Sequence, residues 1–518
     1  MLSTIEAKAS AKGNSGGGRS ADSEADNQVN NNPNNGGDRV LPTASSSTDG
    51  ANSQASSESG GSQGESVGVA AAVAVNVLIL SNTAEILAST TVDAGGLVGV
   101  DATADYNTLT QATGDAFDIQ GGTGVGAAVG FTWADVANLA RVGNNANLTG
   151  SGITVSADRP GDSGEHEFRT WGLAAGGGED TGVAGSVAVN VVNVTTSATV
   201  GTGTHFTAES GDLSVKADQR TGSQTVAGSA GVSNGGTGVG ASVGVNIVTN
   251  ATTAGAGANS VLIARDDISI TADAQLIPVT VDLPDPLGSI TLSNLAISGG
   301  VAEGDGAGAG SAAINIFTLD TRAYLDDGAQ VNQSGLPGID QDLTVRASSR
   351  TGIDSGAGGG GLSTGNAGVG IGLEFTWLDE FTEAFIGSDA DIAVTGDIEV
   401  GAHADHDVTS VAASAGLAAD GLGLAGSVTV YKIDNVTRAY VEGGAGHGTT
   451  LDAGGEVKVM ADGGLDATLI AGALAYGSSA GIGLSSTVLL HGDTVEAWMA
   501  READVSSGGG VTVSADSS

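Results

Sequence analysis

The ten residues GVGASVGVNI at positions 238–247 set the architecture of the whole chain, because versions of them return along its length. They return as GVAGSVAVNV from Gly182 and as AGAGSAAINI from Ala307. With the divergent copies included, the starts lie near residues 68, 124, 182, 238, 307, 368, 423 and 481. Self-similarity at a fixed period is the signature of a repeat architecture. Residues 67–518 are therefore predicted to hold eight tandem units of about 57 residues each.

Each unit also carries a phrase of the form hydrophobic-x-hydrophobic-x-Ala about 30 residues further on, as in Ile268–Ala272 and Leu343–Ala347. Between the two phrases lies a shorter stretch such as Thr321–Leu325, and an Ala/Gly/Ser-rich stretch such as Val411–Ala418 follows. These segments alternate with period two, which predicts β-strands, and Gly/Asn/Asp clusters between units predict turns. The chain is therefore predicted to be all-β.

A unit of this size cannot bury its apolar face alone, so stacked neighbours must cover it. We predict an elongated repetitive β-solenoid, a right-handed parallel β-helix with one or two coils per unit. The alternative is an antiparallel hairpin stack, because the turn signal at Ser233–Gly236 between two strands suits a tight hairpin. In residues 182–191, the face that carries Val183 and Val187 is predicted to form the core. The opposite Gly/Ala/Ser face is flat enough to lie close to another sheet.

One position of the repeat holds asparagine in four units, at Asn76, Asn190, Asn246 and Asn315. Stacked asparagine side chains form hydrogen-bonded ladders along repetitive β arrays. The alternative interpretation of this position is a polar residue that ends the strand and faces solvent. Other residue types take the position in the remaining units: Thr132, Thr376, Tyr431 and Leu489.

The two ends of the chain share one phase of the repeat. Residues 1–9 are interpreted as the end of a preceding repeat, and Val511–Ala515 is the same end-of-unit strand. We therefore expect a segment of a longer repetitive chain. Residues 10–66 are rich in Ser, Gly and Asn and are predicted to be a flexible insertion. A smaller insertion at Leu276–Asn294 carries three prolines.

Composition excludes several classes of protein. The net charge is −42, from 59 acidic and 17 basic residues, which excludes nucleic-acid binding and disfavours an anionic membrane surface. No membrane insertion is expected, because the longest apolar run, Val67–Leu80, is too short to span a bilayer. The chain has no Cys, hence no disulfide or thiolate metal site. With 87 Gly and only 3% aromatic residues, a narrow core of small and β-branched side chains is expected.

The GVGASVxVN phrase, the short Ala-x-Ile/Val strand and the V-x-V-x-A strand together resemble the repeats of giant bacterial surface proteins. The chain looks most similar to the repeat region of filamentous-haemagglutinin-like adhesins, including leukotoxin-type filamentous adhesins. This resemblance covers residues 67–518, and residues 4–9 more weakly. It implies export to the extracellular bacterial cell surface, a long parallel β-solenoid stalk and a role in attachment or matrix. It supplies no active-site residues.

The densest polar cluster is His403-Ala-Asp-His-Asp407, in which His403, Asp405 and Asp407 would share one face of a strand and could hold a divalent ion. The favoured interpretation is a solvated loop. Calcium takes six to eight oxygen ligands, and no EF-hand or tandem calcium motif is present. We predict no cofactor and no defined metal site, with only diffuse Ca²⁺ screening of the acidic surface.

Two further groups of residues have functional interpretations. The paired carboxylates Asp266–Asp267 and Asp326–Asp327 resemble those of glycoside hydrolases but stand at turns, where Asp is common. The four tryptophans could stack on sugars: Trp133, Trp171, Trp377 and Trp498. Trp133 and Trp377 share one repeat position, which favours a core-filling or edge-capping role.

The leading functional hypothesis is a structural or adhesive segment that acts as a rigid stalk or display surface, not an enzyme. Its expected partners are the remainder of a longer repetitive chain and a host-surface or matrix glycan or protein. The alternatives are a β-helix enzyme acting on polysaccharide and a carbohydrate-binding module.

Overall fold

The computed structural model of the chain describes residues 3–14, 66–118, 122–161, 164–282, 289–333, 340–444 and 448–518. Within these ranges the chain forms β-strands, turns and bends and no helix. No described segment is a helix of the length and apolarity needed to cross a membrane.

Nearly all strands belong to three parallel sheets, which we name A, B and C. Sheet A has twelve strands: β1 (Ser3–Asn14), β4 (Val98–Thr103), β5 (Tyr106–Phe117), β8 (Ile153–Asp158), β9 (His166–Gly178), β12 (Leu213–Ser233), β15 (Ile268–Ile277), β18 (Asn294–Ala302), β21 (Leu343–Ser363), β24 (Ile398–Ala418), β27 (Val457–Gly477) and β30 (Val511–Ser517).

Sheets B and C have eight strands each. Sheet B contains β2 (Ser66–Ile86), β6 (Gly122–Val142), β10 (Thr181–Val200), β13 (Thr237–Ala256), β19 (Gly306–Leu325), β22 (Ala367–Ile386), β25 (Leu422–Val441) and β28 (Ala480–Met499). Sheet C contains β3 (Thr91–Asp93), β7 (Asn147–Gly150), β11 (His205–Ala208), β14 (Val261–Ala264), β20 (Gln330–Val331), β23 (Asp391–Val394), β26 (Thr449–Ala453) and β29 (Ala503–Ser507).

The chain winds through sheets B, C and A in turn, so that one unit forms one coil. The third coil, for example, is β10, β11 and β12, and β13 then begins the fourth coil beside β10. The predicted parallel β-solenoid is confirmed. The hairpin stack is wrong, because the turn at Asn234–Gly236 joins a strand of sheet A to a strand of sheet B. Those two strands face each other across the interior instead of pairing edge to edge.

The coils stack without a shift in register. In sheet B, Gly182 pairs with Gly124 on one side and Gly238 on the other, and each remaining repeat start likewise lies beside the next. Strands of 20 residues extend about 66 Å, whereas eight coils at about 4.8 Å each rise only about 38 Å. The described solenoid is therefore a slab whose longer dimension follows the strands.

Two regions of the cross-section differ in width. Where sheet C closes the coil, a continuous core of Val, Ile, Leu and Ala side chains lies between the three sheets, with Phe206, Leu213 and Val215 among its buried members. At the other end, the first half of each sheet B strand packs on the second half of a sheet A strand. We name this two-layered end the blade.

The valine face of the strand does not form the core, contrary to the sequence prediction. In β10 the Gly/Ala/Ser/Asn side is buried, whereas Val183 and Val187 point outward and are half-buried. The two sheets of the blade approach too closely for larger side chains. A Cβ atom placed on Gly182 would lie 2.0 Å from the carbonyl oxygen of Val232. Larger residues such as Val192 and Val194 turn inward only where the sheets diverge.

Every coil has one residue with positive φ at the corner between sheets B and C. Asn145 and Asn259 have φ of 55°, Asp389 has 56°, and Gly203 and Gly328 have 68°. Asn, Asp and Gly adopt this conformation with the least strain and take six of the eight places. Ser89 and Glu502 take the other two, in the first and last coils.

The insertion at Leu276–Asn294 contains an antiparallel hairpin, β16 (Val279–Asp282) and β17 (Ser289–Leu292), between two segments of sheet A. Of the predicted flexible insertion at 10–66, residues 15–65 lie outside the described residues, whereas residues 10–14 belong to β1 and Ser66 begins β2. Strand β1 pairs with β5 and places Ile5 beside Thr108. Val511 instead aligns, strand by strand, with Val98, ten residues before Thr108, so the expectation that the two ends share one phase of the repeat is wrong.

Candidate functional site: outer faces and buried polar groups

The outer face of sheet B carries a flat apolar surface over all eight coils. It consists of the outward residues at five alternate positions of each strand, which are Val69, Ala71, Val73, Val75 and Val77 in β2. The register gives forty such positions, and Lys432 alone among them is charged. We name this surface the apolar plateau.

Both Trp133 and Trp377 belong to the plateau and lie in one column along the solenoid axis. Trp377 is 49% exposed, and Trp133 is half-buried. A core-filling role is therefore wrong for these residues, because their position faces outward. The Lys432 ammonium lies 4.3 Å from the centre of the Trp377 ring, and the Trp377 indole N–H donates to Asp379 at 2.8 Å. One face of this ring is thus already covered.

The other two tryptophans lie elsewhere. Trp171 stands on the outer face of sheet A and donates its indole N–H to Gln224 at 2.9 Å. Trp498 ends a stack of four aromatic rings on sheet B, in which successive ring centres are 4.3–5.4 Å apart: Tyr324, Phe385, Tyr440 and Trp498. Sequence reasoning missed this stack. The signal was present in the recurring phrases at Thr321–Leu325 and Thr437–Val441, which place aromatic residues at one repeat position.

The four repeat-position asparagines are all buried, so the solvent-facing alternative is wrong. Their side-chain hydrogen bonds go to other residues and not to each other. The Asn190 side-chain amide donates to Ser223 Oγ at 2.9 Å, and Ser223 Oγ donates to Asn246 Oδ1 at 2.6 Å. Further along, Asn294 donates to Asn315 at 3.0 Å, and Asn315 donates to Thr376 at 2.9 Å. Polar side chains of sheet A thus connect those of sheet B into a buried hydrogen-bonded column.

Glu374 continues this polar column into the sixth coil. Its fully buried carboxylate accepts hydrogen bonds from Ser355 Oγ, Ser410 Oγ and the Tyr431 hydroxyl, the last at 2.6 Å. Burial raises the pKa of Glu374, although these three hydroxyl donors oppose the rise. The pKa of Tyr431 is raised by burial and by the adjacent Glu374 carboxylate. This cluster occupies the repeat position next to the asparagines.

A buried ion pair lies beside it. His406 Nε2 is 2.9 Å from Glu380 Oε2, and His406 Nδ1 is 2.9 Å from the Gly464 carbonyl oxygen. Thr351 Oγ1 also donates to Glu380 Oε2 at 2.8 Å. Because both ring nitrogens face acceptors, the geometry fits a doubly protonated imidazolium. Burial alone would lower the pKa of His406, but the Glu380 carboxylate outweighs it and raises the pKa to about 9.

The three metal candidates, His403, Asp405 and Asp407, are outward residues of strand β24 and not loop residues as predicted. His403, Asp405 and Asp407 alternate along the outer face of sheet A, as the period-two pattern suggested. His403 Nδ1 lies 2.9 Å from Asp462 Oδ2 in the next coil. Within the described part of the chain, no group of three or more His, Asp or Glu side chains is arranged to hold a metal ion.

The paired carboxylates at the turns form hydrogen bonds between coils. Asp267 Oδ1 accepts the backbone N–H of Asp342 at 3.0 Å, and Asp342 Oδ1 accepts that of Asp397 at 2.7 Å. The same contact joins Asp212 to Asp267 and Asp397 to Glu456. At the other corner, Asp327 Oδ1 accepts the backbone N–H of Ser388 at 2.9 Å. We name the contacts made by Asp212, Asp267, Asp342 and Asp397 the corner ladder.

The fold defines the class of the protein as a parallel β-solenoid with one long coil per repeat. Comparison of the chain with protein-family models, with curated proteins and with solved structures finds no match. The resemblance to filamentous-haemagglutinin-like repeats therefore remains a prediction from the sequence.

Proposed function

We propose that this chain is a structural and adhesive segment of a giant secreted bacterial cell-surface protein, forming a rigid stalk or display surface for attachment or matrix. The observation that carries the proposal is the unbroken register of eight coils. Each sheet B strand pairs along its full length with its neighbours, which resists bending between coils. A repeat stack of this kind extends by adding coils, because each coil contacts only its neighbours.

The display role is supported by the two long sides of the slab. Sheet B presents the apolar plateau, whereas the first half of sheet A presents charged side chains such as Lys216, Arg350 and Asp405. The two sides would therefore contact different materials. A strongly acidic chain would also keep such segments apart where carboxylates face each other.

A carbohydrate-binding role is a second candidate, favoured by one observation. Trp133 and Trp377 stand in one outward column four coils apart, which is about 19 Å at 4.8 Å per coil. Two aromatic rings that far apart on one flat surface could each contact a different sugar of an extended polysaccharide. The test is a glycan array probed with the chain and with Trp133→Ala/Trp377→Ala; binding by the first and not by the second would support this role.

The stalk proposal is tested by location and by adhesion. Antibodies raised against the chain should label intact cells of the source bacterium, and beads coated with the purified chain should resist detachment by flow from mucin-coated glass. Labelling only after permeabilisation, or detachment equal to that of albumin-coated beads, would overturn the proposal. Degradation of a polysaccharide by the chain, lost in Asp405→Ala, would favour the enzyme alternative instead.

A further inference from the structure

The apolar plateau is larger than the apolar patches that monomeric proteins expose. Thirteen of its side chains are among the exposed large hydrophobic residues: Val69, Val73, Val75, Val77, Val129, Ile316, Ile371, Phe375, Trp377, Ile482, Leu484, Val488 and Leu490. Together they expose on the order of 1,000 Å², compared with roughly 300–600 Å² for the largest patch on a typical monomer. A stable interface needs about 800 Å² per partner.

The charge distribution also separates the plateau from the rest of the molecule. Charged residues make up 15% of the chain, so about six would be expected among forty positions, but Lys432 is the single one. The acidic residues Asp135, Asp379 and Asp434 share the column at its margin. Two copies of a chain with net charge −42 could meet over this surface without bringing carboxylates into contact at its centre.

The plateau also carries a groove over part of its length. A column of small residues runs between two columns rich in valine through the first five coils, and Ile371 closes it in the sixth: Ala71, Ala127, Gly185, Ala241 and Gly310. A Cβ atom at Gly185 or Gly310 would meet nothing within 4 Å, so the outer side of these residues is open space. Side chains of a second solenoid can enter the groove over these five coils.

The outer face of sheet A in the blade is apolar as well, but it is not flat. The hairpin β16–β17 lies against it, with the Gln224 side-chain amide donating to the Val279 carbonyl oxygen at 3.2 Å and Leu292 lining a groove with Ile297 and Val411. In sheet B, by contrast, all eight strands pair in continuous register. A flat partner therefore fits sheet B.

We propose that two copies of this chain associate side by side through their apolar plateaus, with sheet B of one copy packed on sheet B of the other. The partner is thus a second copy of the chain, held by burial of valine and aromatic side chains. This inference is independent of whether the protein is adhesive, since it concerns lateral pairing of the solenoids alone.

The test is sedimentation velocity of the purified full chain between 1 and 100 µM in 0.5 M NaCl, which screens the acidic surfaces. We expect the mass to double with rising concentration. Val187→Asp/Val245→Asp places two carboxylates in the middle of the plateau and should keep the protein monomeric throughout this range. Gly185→Glu/Gly310→Glu fills the groove where there is open space, and should do the same without disturbing the fold.

The matched control is Thr195→Asp/Thr249→Asp, which adds the same charge to exposed outward positions of the same two strands, outside the plateau. It should associate as the unmodified chain does, and circular dichroism should show native β-structure for all variants. A wild-type chain that stays monomeric at 100 µM would overturn the proposal, as would a control that is equally monomeric. Binding to phosphatidylcholine vesicles by a chain that remains monomeric would replace the second copy by a lipid surface.

Discussion

Two adjacent glycines in one strand of this solenoid have opposite surroundings: one has no room for a side chain and the other has open space. In β21, a Cβ atom at Gly361 would lie 2.1 Å from the carbonyl oxygen of Val369, whereas one at Gly360 would meet nothing within 4 Å. Gly361 faces the opposing sheet in the blade, and Gly360 faces outward. Residue type alone does not distinguish the two; the phase of the strand does.

Alanine at these two positions should therefore have opposite effects on stability. Gly361→Ala should destabilise the protein by about 1–3 kcal/mol or more, because backbone must move to admit the methyl group. Gly360→Ala should stabilise it by roughly 0.5–1 kcal/mol, because alanine loses less conformational entropy in a strand. Urea unfolding followed by tryptophan fluorescence measures both. Equal effects of the two substitutions would show that the sheets are not in contact here.

The buried pair of His406 and Glu380 makes stability depend on pH. The folded pKa of His406 is raised to about 9 from an ordinary 6.5, so its contribution is complete below pH 6.5 and is lost as the pH rises through 9. The pKa of Glu380 is lowered: burial alone would raise it, but His406 outweighs burial. Its contribution is present above about pH 4.5 and is lost as the pH falls below that value.

We expect His406→Gln to destabilise the protein at pH 6 by about 3–5 kcal/mol, because an uncompensated buried carboxylate remains. The loss should shrink towards pH 9.5, where His406 in the native protein is itself losing its proton. His403→Gln is the matched control, since His403 is partly exposed and lies three residues away on the same strand. Unfolding midpoints at pH 6, 7.5 and 9.5 measure both, and a loss that does not vary with pH would contradict the ion pair.

At the scale of elements, the corner ladder joins the bends of successive coils. Asp342→Ala removes the acceptor of the Asp397 backbone N–H and should destabilise the protein by about 1 kcal/mol, similar to the loss of a helix cap. Asp266→Ala makes the same change in charge at the residue next to Asp267 of the ladder. It should leave the stability almost unchanged. Hydrogen exchange measures the effect locally. Faster exchange at Asp397 in the first variant, but not in the second, is the expected result.

The strands and their stacking could be predicted from the sequence, because both depend on short-range patterns. Period-two alternation gives strands, and the recurrence of GVGASVGVNI gives the register in which Gly182 lies beside Gly238. Which face lies inside could not be obtained this way. Val183 is more hydrophobic than Ala184, yet Ala184 is buried, because the distance between two sheets is a property of the tertiary structure.

The buried polar contacts could not be predicted from the sequence either. His406 and Glu380 are 26 residues apart in different sheets, and their 2.9 Å contact depends on where the two long strands face each other. Asp405 and Asp407, the predicted metal candidates, are exposed, whereas His406 between them is buried. Alternation predicted that His406 points opposite to them, but not which of the two sides is the interior.

For the whole molecule, the net charge of −42 predicts a general response to cations. Raising NaCl from 10 to 500 mM should increase the midpoint of thermal unfolding, because the Debye length falls from about 30 Å towards 4 Å and the carboxylates repel each other less. If screening is diffuse, CaCl₂ and MgCl₂ at equal concentration should stabilise equally. Saturable stabilisation by micromolar Ca²⁺ alone would indicate a defined site instead.

One coil per repeat has a mechanical consequence. Each coil occupies about 4.8 Å of the axis. Its roughly 57 residues, once unwound and extended, span about 190 Å at 3.3–3.6 Å per residue. Tension along the axis that peels off one coil thus lengthens the chain by about forty times that coil's axial height. Because a coil contacts only its neighbours, the rest of the stack stays folded, so the slab acts as a reserve of length, released one coil at a time.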